Sequence, residues 1–202
     1  MTSYVTADEV RGAMPDVDWT EAYHAILTAL IERASRLIDT ATGRHAGAFA
    51  SDTATVRYFD GSGDREMWVG EMAAAPTAVA VDEGGAGTYT TWASTDYFTW
   101  PYNAADEGKP YVRLDVDQLN GDKSHWYRFP RSVKVTAKWG YSTAAPDDVK
   151  QAVIIQVIRW FKRAQQAYQD VGAIVELGQL RFVRQLDPDV EFLVNHYRRV
   201  TI

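Results

Sequence analysis

Residues 146–169 constrain this chain more than any other stretch. Val149, Val153, Val157, Trp160, Phe161, Ala164 and Tyr168 recur three or four residues apart. Ile154 and Ile158 widen the same stripe, while Lys150, Arg159, Lys162 and Gln166 fall on the other side. The spacing predicts a long helix with one face in a core. Pro146 suits its start, having no amide hydrogen to leave unpaired; Asp147 and Asp148 meet the positive end of the helix dipole, and Gly172 marks the stop. At 1.5 Å per residue such a helix is roughly 35 Å long, about the width of a small domain, so it serves as a rod for other elements to pack on.

A rod with a wide apolar face needs a partner, and the N-terminal region offers one. Trp19, Tyr23, Ile26, Leu27, Leu30, Ile31, Ala34, Leu37, Ile38 and Ala41 form a second 3.6-period stripe ending at Gly43, with Asp18 expected as its cap and Glu21 as the matching residue. Before it, Thr6 and Glu9 have the spacing of a capping box, and Val5 and Val10 that of a hydrophobic staple, for a short helix closed ahead of Pro15. The two long stripes are expected to bury each other although about 100 residues separate them. Near the C-terminus, Asp187 as cap and Pro188 at the first helical position predict a last short helix carrying Val190, Leu193, Val194 and Tyr197. β-like pieces at 174–177 and 180–183 precede it.

Between the long helices the pattern changes period. Short β-rich runs at 53–59, 66–69, 77–81, 88–92, 111–116, 126–129 and 133–139 are broken by glycine-containing turns, and Asn120-Gly121 is the pair best suited to a tight hairpin. The expected fold is α+β: a small antiparallel helical core from residues 1–52 and 140–202, an antiparallel β module inserted at 53–139, and a short C-terminal helix. With 202 residues the chain can bury a real core as one domain or two.

Charge and chemistry narrow the function. The 21 Lys and Arg against 27 Asp and Glu give a net charge of −6, which does not support a grip on nucleic acid phosphates. The absence of cysteine excludes disulfides, thiolate metal sites and cysteine nucleophiles. No apolar stretch reads as a signal peptide or a membrane span, so an intracellular soluble product is expected unless an assembly carries it elsewhere. His24, His45, His125 and His196 form no close ligand pattern, and no metal or other cofactor is expected. Asp60-Gly61-Ser62-Gly63-Asp64 lacks the ligands of a calcium loop and reads as a turn. Gly84-Gly85-Ala86-Gly87 lacks the lysine and the strand-to-helix context of a phosphate cradle. Asp115 and Asp117, two apart in a strand, share a face, as solvated strand residues also do.

Trp92, Tyr97, Phe98, Trp100, Tyr102, Tyr111, Trp126 and Tyr127 crowd the β module. They either form a platform for carbohydrate or nucleic acid or fill the core of a small sheet; the second is preferred, because the module has no evident concentration of basic residues. A glycan-binding β module would need Trp92, Trp100 and Trp126 exposed.

The order of segments carries a resemblance. Tyr4-Val5-Thr6-Ala7-Asp8-Glu9-Val10 is followed by the helix of 26–42 ending Ala41-Thr42-Gly43-Arg44. Val133-Lys134-Val135-Thr136-Ala137-Lys138-Trp139-Gly140-Tyr141 leads to Pro146-Asp147-Asp148-Val149-Lys150-Gln151-Ala152. Leu186-Asp187-Pro188-Asp189-Val190 and Tyr197-Arg198-Arg199 close the chain. In these the sequence resembles the head-tail connector, or head-completion adaptor, proteins of long-tailed bacteriophages, simpler members of which have only a short link where this chain has residues 53–139. The inserted module is then either a ring-to-ring contact or an outward decoration.

The resemblance implies a structural, non-enzymatic role: a homo-oligomeric, dodecameric ring beneath the portal in the virion neck. Such a ring extends the DNA channel, touches the portal protein and the next neck or tail-completion protein, and lets packaged DNA pass without reading its sequence or engaging a membrane. A neck or tail-completion protein that binds tail subunits is the related alternative. The residues it implies for portal or ring contact are Arg159, Lys162, Arg163, Phe182, Asp187, Asp189, Tyr197, Arg198 and Arg199. For Arg198 and Arg199 a solubilising charged tail is the competing reading.

Overall fold

The structure is a computed structural model describing residues 2–169 and 186–199. The strand-like pieces expected at 174–177 and 180–183, the helix stop at Gly172, and Phe182 lie outside the described residues. The chain forms two compact units, one of Met1–Gly47 with Ala145–Ile202 and one of Ala48–Ala144.

The helical unit begins with α1, Ala7–Gly12, closed by the capping box: Thr6 Oγ1 accepts from the Glu9 amide, and the Thr6 amide donates to Glu9 Oε2. Helix α2 spans Glu21–Ala41. Its cap position is Thr20, which makes no side-chain bond, so the expected Asp18 cap and the helical placement of Trp19 are corrected: the helix starts two residues later than the apolar stripe. The stripe continues past the helix because Trp19, outside it, still packs on Phe161 of α3 with ring centroids 5.2 Å apart. At the other end the chain leaves through Gly43, in the left-handed region at φ 71°, where a side chain would be strained.

Helix α3 spans Asp147–Gln169, with the carbonyl of Pro146 accepting from the Lys150 amide. Val149, Ala152, Val153, Val157 and Phe161 are buried, as are Leu27, Ile31, Ala34 and Ile38 of α2. Tyr23, early in α2, meets Phe161, late in α3, edge-on at 5.3 Å. The two helices therefore run antiparallel and bury the stripes that the sequence displays. Helix α4, Pro188–Val194, and the 3-10 turn Asn195–Tyr197 complete the unit, with Val190, Val194 and Tyr197 buried.

The β unit holds two antiparallel sheets rather than one. In order, its strands are β1 (Thr55–Phe59), β2 (Glu66–Met72), β3 (Ala78–Val81), β4 (Thr90–Thr91), β5 (Tyr97–Trp100), β6 (Tyr111–Val116) and β7 (Val133–Ala137). One sheet is ordered β1-β7-β3-β4, the other β2-β6-β5. Strand β5, unforeseen because its aromatic run lacks alternation with polar residues, takes the edge beside β6. Residues 126–129 are not a strand; Trp126 instead sends its side chain into the core. Nor does Asn120-Gly121 close a hairpin, since β6 and β7 belong to different sheets. The turn is built on Asp117, whose carboxylate accepts from the amides of Leu119 and Asn120 and from Asn120 Nδ2. Gly121 is required there: a Cβ would stand 2.7 Å from the Asp96 Cα.

The core of this unit is aromatic at its centre. Trp92 and Trp126 stack at 4.7 Å and 17° among Met67, Val69, Val79, Leu114 and Val133. Each buried indole keeps its hydrogen bond: Trp126 Nε1 donates to the Arg65 carbonyl, Trp92 Nε1 to Glu83 Oε1 and Trp139 Nε1 to the Thr55 carbonyl. That satisfaction is what allows a small sheet pair to use such large side chains as filler.

Candidate functional site

The C-terminal segment is built by local rules and then locked to the helical unit. Asp187 caps α4 by accepting from the Asp189 amide at 3.0 Å, and Pro188 occupies the first turn, where no amide is needed. The other Asp187 oxygen meets Arg159 Nη1 of α3 at 2.6 Å, and the Asp187 amide donates to Gln156 Oε1 at 3.2 Å. Gln156 itself is 1% exposed, so one buried amide on α3 fixes where α4 begins. Further along, His196 approaches Asp148 at 3.8 Å, near the start of α3, which sets α4 antiparallel to α3.

The expected contact residues divide accordingly. Arg159 and Asp187 are brought together and face each other, and Tyr197 is buried with its carbonyl accepting from Arg44 Nη1. These three hold the segment in place. Arg199 donates its backbone amide to the Thr42 carbonyl at 3.0 Å, so the chain at this point is a strap across the end of α2. Its side chain is exposed, as is that of Arg198, which reaches Glu191 Oε1 at 3.3 Å. Asp189, Lys162 and Arg163 are exposed, and Lys162 and Arg163 form no ion pair with a described residue.

One residue of this surface escaped the sequence reading. Phe192 is 82% exposed on α4, while Val190 and Val194 on either side are buried. The alternation of Val190, Phe192 and Val194 does not separate the outward residue from the inward ones. What does is the helical period, which puts Val190 and Val194 on one face and Phe192 half a turn away.

A buried carboxylate lies at this same end of α2. Asp39, 2% exposed, accepts from the Tyr4 hydroxyl and the Gly47 amide and pairs with Arg36 Nη1 at 2.8 Å. Burial pushes its pKa above the ordinary aspartate value, with the hydrogen bonds from Tyr4 and Gly47 and the charge of Arg36 opposing that rise. Each oxygen is engaged by the N-terminal segment, the helix itself or the Gly47 turn, which is the arrangement of a structural tie.

Elsewhere the chemistry is that of turns. Asp60 accepts from the Arg131 amide and Ser62 from that of Asp64, so the 60–64 loop spends its oxygens internally. Asp82 gathers the amides of Gly84, Ala86 and Gly87, organising the glycine-rich loop around a carboxylate rather than a phosphate. Asp115 and Asp117 do not act as a pair: the first is bound by Arg113, the second by its own turn. Among the described residues no three His, Asp or Glu side chains converge to hold a metal ion, and no helix is long and apolar enough to cross a membrane.

Trp92 and Trp126, 3% and 0% exposed, cannot form the carbohydrate platform that the sequence left open. Exposed aromatic residues do stand at the three-stranded sheet: Trp68 on β2 at 62%, Phe98 on β5 at 42% and, just past β5, Tyr102 at 64% exposure.

No family model matches the chain, and no curated protein matches it. Among solved structures, a chain in the neck of an empty gene transfer agent (GTA) particle, computed with C6 symmetry, is 17% identical. It has a TM-score of 0.56, covering 98% of this chain and 91% of that one. A chain in the neck of the native GTA particle, computed with C12 symmetry, is 16% identical with a TM-score of 0.50, covering 100% of this chain and 97% of that one. A third, in the virion of the native particle, is 16% identical with a TM-score of 0.50, covering 98% and 91%. The fold of this chain is thus one found in the necks of GTA particles.

Proposed function

We propose that this chain is a structural, non-enzymatic component of the neck of a tailed phage or phage-like particle. It assembles as a ring that extends the portal channel and joins head to tail. The observation that carries this reading is the match of fold over essentially the whole chain to chains from two neck structures of stated rotational symmetry. The resemblance in segment order between this sequence and head-tail connector proteins is an independent support. A ring of identical copies needs a heterologous interface, in which one surface of a subunit meets a different surface of the next.

In this reading the helical unit supplies the contacts. Arg159, Asp187 and Tyr197 position the C-terminal segment, and Asp189, Phe192, Arg198 and Arg199 face its partner, the portal protein. Lys162 and Arg163, exposed on α3 and without an ion-pair partner among the described residues, meet a carboxylate surface of a neighbouring subunit or of the next neck protein. Packaged DNA passes through the ring without sequence recognition. The net charge of −6 suits a channel wall that does not hold the phosphates.

Reversing the charge of Lys162 and Arg163 to Glu, and separately truncating the chain after Asn195, tests the assignment in a head-attachment assay. The reading expects both variants to fold, by circular dichroism, and both to fail to sediment with DNA-filled, tail-free heads. Normal attachment of both removes these residues from the interface.

A further inference from the structure

The outward face of the three-stranded sheet is the least explained surface of the molecule, and its residues stand in two cross-strand rows. Trp68 on β2, Arg113 on β6 and Trp100 on β5 are in register; so are Glu66, Asp115 and Phe98 on the same strands. Because side chains alternate along a strand, these six project from one face while Met67, Val69, Leu114 and Val116 enter the core from the other.

Arg113 organises both rows. Its Nη1 donates to Glu66 Oε2 at 2.8 Å, and its Nη2 to Asp115 Oδ2 at 2.8 Å, with Nε 2.8 Å from Asp115 Oδ1. Its guanidinium lies 4.8 Å from the Trp100 ring centre and 5.5 Å from that of Trp68. The result is a fixed array of rings, cation and carboxylates; a cleft of about 380 Å³ opens on its Phe98 side, lined by Glu66, Arg113, Asp115, Tyr102 and the 94% exposed Leu119, while Trp68 borders a separate cleft that shares Glu66 with it. Glu66 uses only one oxygen on Arg113, leaving the other to accept from a ligand.

We propose that this face binds neutral carbohydrate, a pyranose ring stacking on Trp68 with its hydroxyl groups bonded to Glu66 and Arg113, the neighbours of Trp68 on that face. Three observations select this class. The C–H face of a sugar matches an exposed indole, and its hydroxyls both donate and accept, as a carboxylate beside a guanidinium demands. The cleft carries three carboxylates, Glu66, Asp115 and Asp117, against two guanidinium groups, Arg65 and Arg113, which opposes a polyanion such as nucleic acid. A dry protein contact would bury that charged set, whereas the cores of protein interfaces are depleted in Asp and Glu. The site belongs to the β unit, whereas the contacts assigned to neck assembly belong to the helical unit.

The full-length protein is titrated with cellohexaose, maltohexaose and chitohexaose and screened on an array of neutral glycans, with heat and tryptophan emission as readouts. Saturable binding to at least one is expected. It should weaken about tenfold or more in Trp68→Ala, survive in part in Trp68→Phe, and be unchanged in Phe192→Ala. The urea midpoint of the Trp68 variants, compared with that of the parent, reports whether they keep the core around the stacked Trp92 and Trp126. Absence of binding across the array up to millimolar glycan overturns the proposal, as does equal binding by folded Trp68→Ala or preferential binding of heparin. Head attachment measured in parallel keeps the two readings separate: loss of attachment by folded Trp68→Ala, with no glycan bound by the parent, assigns the face to a protein partner instead.

Discussion

The two units bury their carboxylates in opposite ways. In the helical unit, Asp39 is enclosed among side chains and a helix, and burial dominates, raising its pKa. In the β unit, Asp117 is dominated by the hydrogen bond from Asn120, with the amides of Leu119 and Asn120 adding to it, and its pKa is lowered against the effect of burial. Asp82 is likewise lowered, the amides of Gly87, Ala86 and Gly84 together outweighing burial. A loop can wrap its own backbone donors around an anion, whereas a helix has already committed its amides to the turn before. In the helical unit Asp39 meets two side chains, Tyr4 and Arg36, and one loop amide, that of Gly47, which together do not offset its burial.

The largest effects lie in the cores, where the two units should fail separately. Trp126→Ala removes a fully buried ring and its stacking on Trp92 and should cost about 3–5 kcal/mol. Phe161→Ala should cost a similar amount in the helical unit. Amide hydrogen exchange in denaturant distinguishes them: each variant loses protection first in its own unit, and uniform loss in both cases would join the units into one cooperative block. Gly61→Ala comes next, since a Cβ would stand 1.9 Å from the Tyr127 carbonyl oxygen. It should cost about 1–3 kcal/mol, read as a lowered urea midpoint. Asp187→Ala removes the α4 cap and leaves Arg159 without its carboxylate, for a loss of about 1–2 kcal/mol.

The smallest effect sharpens the comparison itself. Because the folded pKa of Asp39 is raised, the native state takes up its proton first as pH falls. Asp39 therefore adds stability on acidification from neutral pH through its folded pKa, and that contribution is lost as pH rises again. Asp82 and Asp117, with lowered values, contribute stability above the ordinary aspartate pKa and lose it as pH falls through their folded pKa values. Subtracting the pH profile of Asp39→Asn from that of the parent isolates the first term. The parent should gain relative to the variant between neutral pH and the ordinary aspartate range. A difference that is flat or of opposite sign contradicts the burial account of Asp39.

What the sequence makes legible follows from range. The Thr6–Glu9 box, the Asp187-Pro188 start and the stripes of α2 and α3 are local patterns whose physics closes within a few residues, and all appear in the fold. The Asp18 cap fails because Trp19 can join the core from outside the helix, which periodicity does not register. Asn120-Gly121 has turn chemistry, but whether a turn closes a hairpin depends on where the next strand pairs, and β7 pairs with β1 and β3. The aromatic residues of the β unit were legible as a group and not as two sets. Which indoles enter the core is decided by strand register, and register is fixed by pairing partners far away in sequence. Arg113 gains its meaning only beside Glu66, 47 residues away.

The central claim is assembly at the head. Electron microscopy of DNA-filled, tail-free heads mixed with the purified protein tests it directly. The account predicts an added ring at the portal vertex, formed of copies related by rotational symmetry, with the helical unit against the portal. Bare heads in the presence of folded protein, or density at sites other than the portal vertex, would contradict it.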